Sequence, residues 1–143
     1  MASAKTTEIF NCTAEEFFKL VSDYEKYPDF ITGVSSVKIT KNTETEKEME
    51  YAVSIVKSFK YKLKVIEKSP TSVIFTFLSG EMFKTMKGEW AITPQGDKCK
   101  VDYSVEATFG MLVPSFMADQ VVKVNLPMLM TNFKTRIKQI YGK

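Results

Sequence analysis

From Gly33 to Phe109 the chain alternates apolar and polar residues, and after Pro114 it switches once to helical spacing. Successive side chains of a strand point to opposite faces, so a period of two marks strands with one buried side. Apolar residues three and four apart mark the buried stripe of a helix. In Glu44 to Val56, Met49, Tyr51, Val53 and Ile55 share one face, while Glu44, Glu46, Glu48 and Glu50 share the other and read as a solvated face. Tyr61, Leu63 and Val65 alternate with Lys60, Lys62 and Lys64. After the Ser69-Pro70-Thr71 turn, Val73, Phe75 and Phe77 keep the apolar register. Met86, Gly88, Trp90 and Ile92 form the next strand, Pro94-Gln95-Gly96-Asp97 turns, and Val101, Tyr103, Val105, Ala107 and Phe109 alternate with Lys100, Asp102, Ser104 and Glu106. A sheet with one greasy side and one long helix to cover it is the resulting expectation.

The ends supply the helices. Thr6 to Asn11 predicts a short opening strand. Thr13-Ala14-Glu15-Glu16 has the form of a capping box, in which threonine and glutamate satisfy each other's free amides, and Phe17, Phe18 and Val21 give the helix that follows an apolar side. Ser22-Asp23 opens a second short helical turn that Pro28 ends near Tyr27. After Pro114, Ser115 is the expected cap and Gly142 the expected stop of a helix with Leu126, Met130, Phe133, Ile137 and Ile140 on one stripe. A second stripe of Met117, Val121, Val124 and Met128 widens the apolar face of the first half, and Pro127 predicts a kink.

Composition narrows the function classes. With 143 residues, one domain over residues 1–143 is expected. Hydrophobic residues at 44% and charged residues at 26% permit a packed interior. No apolar run approaches the ~20 residues that span a bilayer, and MASAKTTEIF lacks a signal peptide's pattern, so a cytoplasmic location is expected. Cys12 and Cys99 match no metal or redox spacing and read as reduced thiols. The absence of histidine removes the usual general base, the Ser-His and Cys-His pairs and most zinc sites; no catalytic residue, cofactor or metal is expected. A net charge of +3 is too small to imply nucleic acid by itself.

Tyr24-Glu25-Lys26-Tyr27-Pro28-Asp29-Phe30, followed by Gly33-Val34-Ser35-Ser36-Val37, resembles a segment of the polyketide cyclase and coenzyme Q-binding branch of the START-like helix-grip superfamily (SRPBCC). Gly80 to Phe83 with Lys87-Gly88-Glu89-Trp90 is similar to that branch's hairpin, and Lys100 to Phe109 to its next strand. The resemblance implies an α+β helix-grip fold, a curved antiparallel sheet in the order β-α-α-β6-α wrapped around a long C-terminal helix. It also implies a hydrophobic ligand between sheet and helix: a quinone, another lipid or a polyketide. One bacterial subgroup of the branch is described as a ribosome-association toxin.

A sheet curled around one helix leaves more interior than the helix fills, so the inward side chains become either packed core or cavity lining. Eight methionines favour a cavity, since flexible thioethers suit adaptable pockets, although they also serve as gap fillers. The expected lining is Tyr51, Val53, Tyr61, Leu63, Phe75, Phe77, Trp90, Tyr103, Val105 and Phe109 from the sheet, and Met117, Val121, Val124 and Met128 from the helix. Tyr51, Tyr61, Tyr103 and Trp90 are the inward groups able to orient a ligand's polar head; ordinary amphipathic packing accounts for the same residues. Asn125 lies near the kink, facing either the interior or solvent. The apolar joint Gly110 to Met117 reads as a gate, with Met111, Leu112 and Phe116 at its centre, or alternatively as buried packing; at a mouth it would also allow transient membrane contact.

Three functions follow. The leading one is binding or transport of a hydrophobic small molecule without catalysis. The second is a cyclase or aromatase, whose acid or base, without histidine, must be an inward Tyr, Asp or Glu of shifted pKa. The third is an interaction module of the ribosome-association type. Lys57, Lys60, Lys62 and Lys64 form the one dense basic stretch, but no outward aromatic is interleaved for stacking on RNA. No feature of the sequence bears on oligomeric state.

Overall fold

The computed structural model describes residues 2–55 and 57–143; the side chains of Ala2, Val122, Asn125 and Leu126 lie outside the described set, and with them the expectations for Asn125 and Leu126. The strands are β1 (Ala2–Phe10), β2 (Val34–Asn42), β3 (Glu46–Ile55), β4 (Lys57–Lys68), β5 (Ser72–Gly80), β6 (Phe83–Gln95) and β7 (Lys98–Phe109). They form one antiparallel sheet in the order β1-β7-β6-β5-β4-β3-β2, so six strands run as a meander and the first pairs with the last. Between β1 and β2 lie helix α1 (Ala14–Val21) and a 3₁₀ turn (Tyr24–Asp29). The expected α+β helix-grip order is the observed one.

Local chemistry explains the opening. Thr13 Oγ1 accepts from Glu16 N at 3.1 Å while Thr13 N donates to Glu16 Oε1 at 2.9 Å, the reciprocal pair that starts α1. Phe17 and Val21 then face the sheet, fully buried. In the 3₁₀ turn, side chains three apart eclipse, so Tyr24 and Tyr27 both point inward.

The sheet's concave face carries the core. Met49, Tyr51 and Val53 of β3, Phe59, Leu63 and Val65 of β4, Trp90 and Ile92 of β6 and Val101 and Tyr103 of β7 are all buried, as the alternation requires. Gly88 interrupts β6 for a steric reason. Phe75 lies opposite it on β5, and a Cβ there would stand 2.2 Å from Phe75 Cζ, so the glycine makes room for that ring.

The closing helix departs from expectation. It is three pieces: α2 (Ser115–Asp119), a π-helical turn (Gln120–Asn125) and α3 (Leu126–Tyr141). Pro114, not Ser115, is the N-cap. Pro127 lacks the N–H that would bond the Lys123 carbonyl, and the widened turn falls just before it, so the irregularity precedes the proline instead of centring on it. A π turn consumes an extra residue, so the second expected stripe, which crosses it, does not stay on the inward face, whereas Met130, Phe133 and Ile137 of the first do. Met117 is buried, but Val124 and Met128 face solvent, while Leu129, Met130, Phe133 and Ile137 take the inward positions. Ile140, at the end of the expected stripe, is also exposed. Gly142, at φ +71°, ends the helix with its N–H on Lys138 O, as expected.

Candidate functional site

Phe133 of α3 anchors the helix over the sheet. Its ring lies 5.1 Å from Trp90, 5.5 Å from Phe17 and 5.2 Å from Phe30. Beyond this aromatic cluster, toward the start of α2, helix and sheet separate and leave a cavity of about 180 Å³. Its walls are the inward residues of β3 to β7, its roof is Val121 and Leu129, and its inner end is Tyr24, Tyr27 and Phe133. Ser3, Thr32, Val34, Ile55, Phe109 and Val121 are lining residues that remain partly or wholly exposed, so the mouth lies at that end of the sheet.

Ten of the fourteen expected lining residues meet there: Tyr51, Val53, Tyr61, Leu63, Phe75, Trp90, Tyr103, Val105, Phe109 and Val121. Four do not. Phe77 sits past the last β5–β6 pair, Thr76 with Lys87, where the strands diverge, and its ring packs on Phe83 at 6.2 Å outside the cavity. Met117 is buried beside the cavity, and the π turn carries Val124 and Met128 away from it. Met111, Leu112 and Phe116, the expected gate, project into solvent next to the mouth, so the alternative of buried packing is not what is observed for these three.

Sequence reading missed Tyr24, Tyr27, Ile31, Phe83, Met86, Ala107 and Leu129 as lining residues. The three-residue spacing of Tyr24 and Tyr27 was the available signal for the first two. It also missed what lies behind the inner end. Lys47 and Glu67 occupy the inward parity of β3 and β4, where Lys47 Nζ meets Glu67 Oε1 at 2.7 Å and the Tyr24 hydroxyl donates to Glu67 Oε2. The ion pair is nearly buried and Tyr24 screens it from the cavity.

Among the described residues no carboxylate or amine lines the cavity. Its polarity comes chiefly from tyrosine hydroxyls, with the Trp90 indole N–H on the wall and Ser3 and Thr32 at the mouth. Tyr24 bonds Glu67 and Tyr27 donates to Val21 O, whereas the hydroxyls of Tyr51, Tyr61 and Tyr103 have no hydrogen-bond partner among the described residues. Burial holds all three well above the ordinary tyrosine pKa, so they stay protonated and able to donate. Tyr51 and Tyr61 stack at 5.4 Å with planes 4° apart, and Trp90 and Tyr103 approach to 4.4 Å, which fixes the orientation of these rings. The arrangement offers a flat aromatic wall carrying hydrogen-bond donors inside an apolar enclosure.

The family profile described as "Polyketide cyclase / dehydrase and lipid transport" matches residues 11–134, a span holding nearly all of the cavity wall. The chain belongs to this family. Among similar proteins, a ribosome association toxin, RatA, of Vibrio cholerae is 26% identical over 143 residues, covering 99% of each chain. A persistence and stress-resistance toxin, PasT, of Escherichia coli is 25% identical, covering 99% of this chain and 90% of that one. The fold of this polyketide cyclase/dehydrase family member is shared with a START superfamily protein of Mycobacterium smegmatis (TM-score 0.85, 19% identity, 96% and 98% of the two chains). It is shared also with the Zhui aromatase/cyclase of a Streptomyces species (TM-score 0.79, 10% identity, 94% and 89%). Among the described residues no helix is long and apolar enough to cross a membrane.

Proposed function

We propose that this protein binds a hydrophobic small molecule in the cavity between sheet and helix, the tyrosine hydroxyls directing the ligand's polar end. The observation that carries this reading is the cavity itself: apolar walls, a mouth at one end, and three tyrosine hydroxyls without hydrogen-bond partners among the described residues. Affinity comes from apolar burial at ~25 cal/mol per Å², and orientation from the hydroxyls, since a ligand acceptor satisfies donors that the apolar wall leaves unpaired. Size constrains the ligand. A dry cavity of roughly 150 Å³ takes a benzene ring, so the enclosed space admits one ring or the end of an apolar chain, the remainder reaching the mouth. Mass spectrometry of an organic extract of the purified protein tests this, together with displacement of an environment-sensitive fluorescent probe. A stoichiometric apolar compound that displaces the probe is expected. Failure of any apolar probe to bind a folded sample would overturn the reading.

A second reading, association with ribosomes, is favoured by one observation: the toxins similar to this chain align over its whole length. The basic strand gives it little support. Lys60, Lys62 and Lys64 of β4 stand opposite Ala52, Glu50 and Glu48 of β3, and Lys64 is bridged to Glu46 at 2.9 Å, so the glutamate row largely neutralises the lysine row. Cosedimentation with ribosomes at rising salt decides it, because phosphate contacts weaken steeply with ionic strength.

A further inference from the structure

Met111 and Leu112 stand side by side at 99% and 95% exposure, at the tip of the connection from β7 to α2. The tip is a formed turn: Gly110 N donates to Met82 O at 2.9 Å and Val113 N to Gly110 O at 3.0 Å. Phe116, on the first turn of α2, adds a ring that is 62% exposed, and no charged residue lies between Glu106 and Asp119. Each of these side chains forgoes the gain of burial, which points to burial elsewhere.

Position and charge identify the cover. The tip is flanked by two cavity-lining residues, Phe109 before it and Val121 after it, so it borders the mouth. Around the same end of the sheet stand Lys57, Lys60, Lys84 and Lys123 against Glu81 and Asp119, four cations to two anions, with Lys123 and Asp119 3.8 Å apart. A specific protein interface engages ~20–30 residues a side, far more than this convex tip presents. A bilayer requires no matching groove: apolar side chains enter the headgroup boundary and a basic collar meets anionic lipid.

We propose that Met111, Leu112 and Phe116 dock the cavity mouth onto an anionic lipid bilayer. Docking stands on the tip alone; passage of an apolar ligand between bilayer and cavity without crossing water rests on the ligand-binding reading.

The test uses the full chain, sedimented with phosphatidylcholine vesicles with and without phosphatidylglycerol, beside a Met111→Ser, Leu112→Ser double variant. Probe binding by both proteins is measured separately in vesicle-free buffer. Wild type is expected on the mixed vesicles, more weakly on phosphatidylcholine alone, and still bound in ~0.5 M salt because insertion is apolar. The variant is expected to lose affinity by at least ~10-fold while binding the probe as wild type does. Absence of wild type from both vesicles, equal binding by the variant, or a wild-type dimer that the variant converts to monomer would each overturn docking. Vesicle binding by a protein that takes up no probe would support docking and remove the ligand reading.

Discussion

Phe133 meets Trp90 edge-on at 5.1 Å with 61° between the rings, and through this contact the closing helix is fixed to the centre of the sheet. Phe133 is wholly buried and also touches Phe17, Tyr27 and Phe30. Phe133→Ala leaves a void among rigid rings that cannot collapse into it, and an expected loss of ~3–5 kcal/mol in urea unfolding follows. A loss under ~1 kcal/mol would mean the helix is held elsewhere.

Val121 roofs the cavity at its mouth and is only partly buried, so an indole there has room to enter the cavity or to lean into solvent. Val121→Trp is expected to weaken probe binding at least ~10-fold and to change stability by less than ~1.5 kcal/mol. Unimpaired probe binding by this variant would place the probe outside the cavity.

The lysine row of β4 separates the cavity reading from the surface one. Lys60, Lys62 and Lys64 all replaced by glutamine removes one exposed ion pair, Lys64 with Glu46, worth at most ~1 kcal/mol. Probe affinity is expected to stay within about twofold, since none of the three lines the cavity. Loss of a ribosome interaction in this variant, with the fold retained, would locate that activity on the convex face.

Alkaline pH reports on the tyrosines. Burial raises Tyr24, Tyr27, Tyr51, Tyr61 and Tyr103 above the ~10 of an unfolded chain. The folded protein therefore keeps protons that the unfolded chain releases. The stability they contribute is fully present below pH ~10 and drains away as pH rises toward the folded values. Each group contributes ~1.4 kcal/mol per pH unit in that window, so the urea midpoint should fall steeply above pH ~10. Tyrosinate absorbance from these five should appear with unfolding. Its appearance near pH 10 in a folded sample would show that the hydroxyls are wet.

Alternation placed Tyr51, Leu63, Trp90 and Tyr103 inward because a strand whose partners are fixed has only two faces to choose from. The same parity, continued, assigns Lys47 to the face of Met49 and Glu67 to that of Val65. Two charges on an apolar face have no explanation in the sequence alone, and only the pairing of β3 with β4 reveals that they satisfy each other. The helix was less legible. Its stripes assume a constant rotation per residue, and the widened turn before Pro127 breaks that assumption, which is why Val124 and Met128 fell on the wrong side and Leu129 was overlooked. The joint from Gly110 to Met117 was ambiguous for a different reason: an apolar segment does not say whether its cover is part of the same chain.

The pairing of β1 with β7, Ala2 opposite Ala107 through Phe10 opposite Cys99, sets a timetable for assembly. Strands β2 to β7 zip together as successive hairpins between near neighbours, which costs little loop entropy. Among the described residues β1 has its sheet partner in β7, so during vectorial synthesis it waits unpaired until the meander has been made. The wall of the cavity is thus completed late in folding, when β1 meets β7.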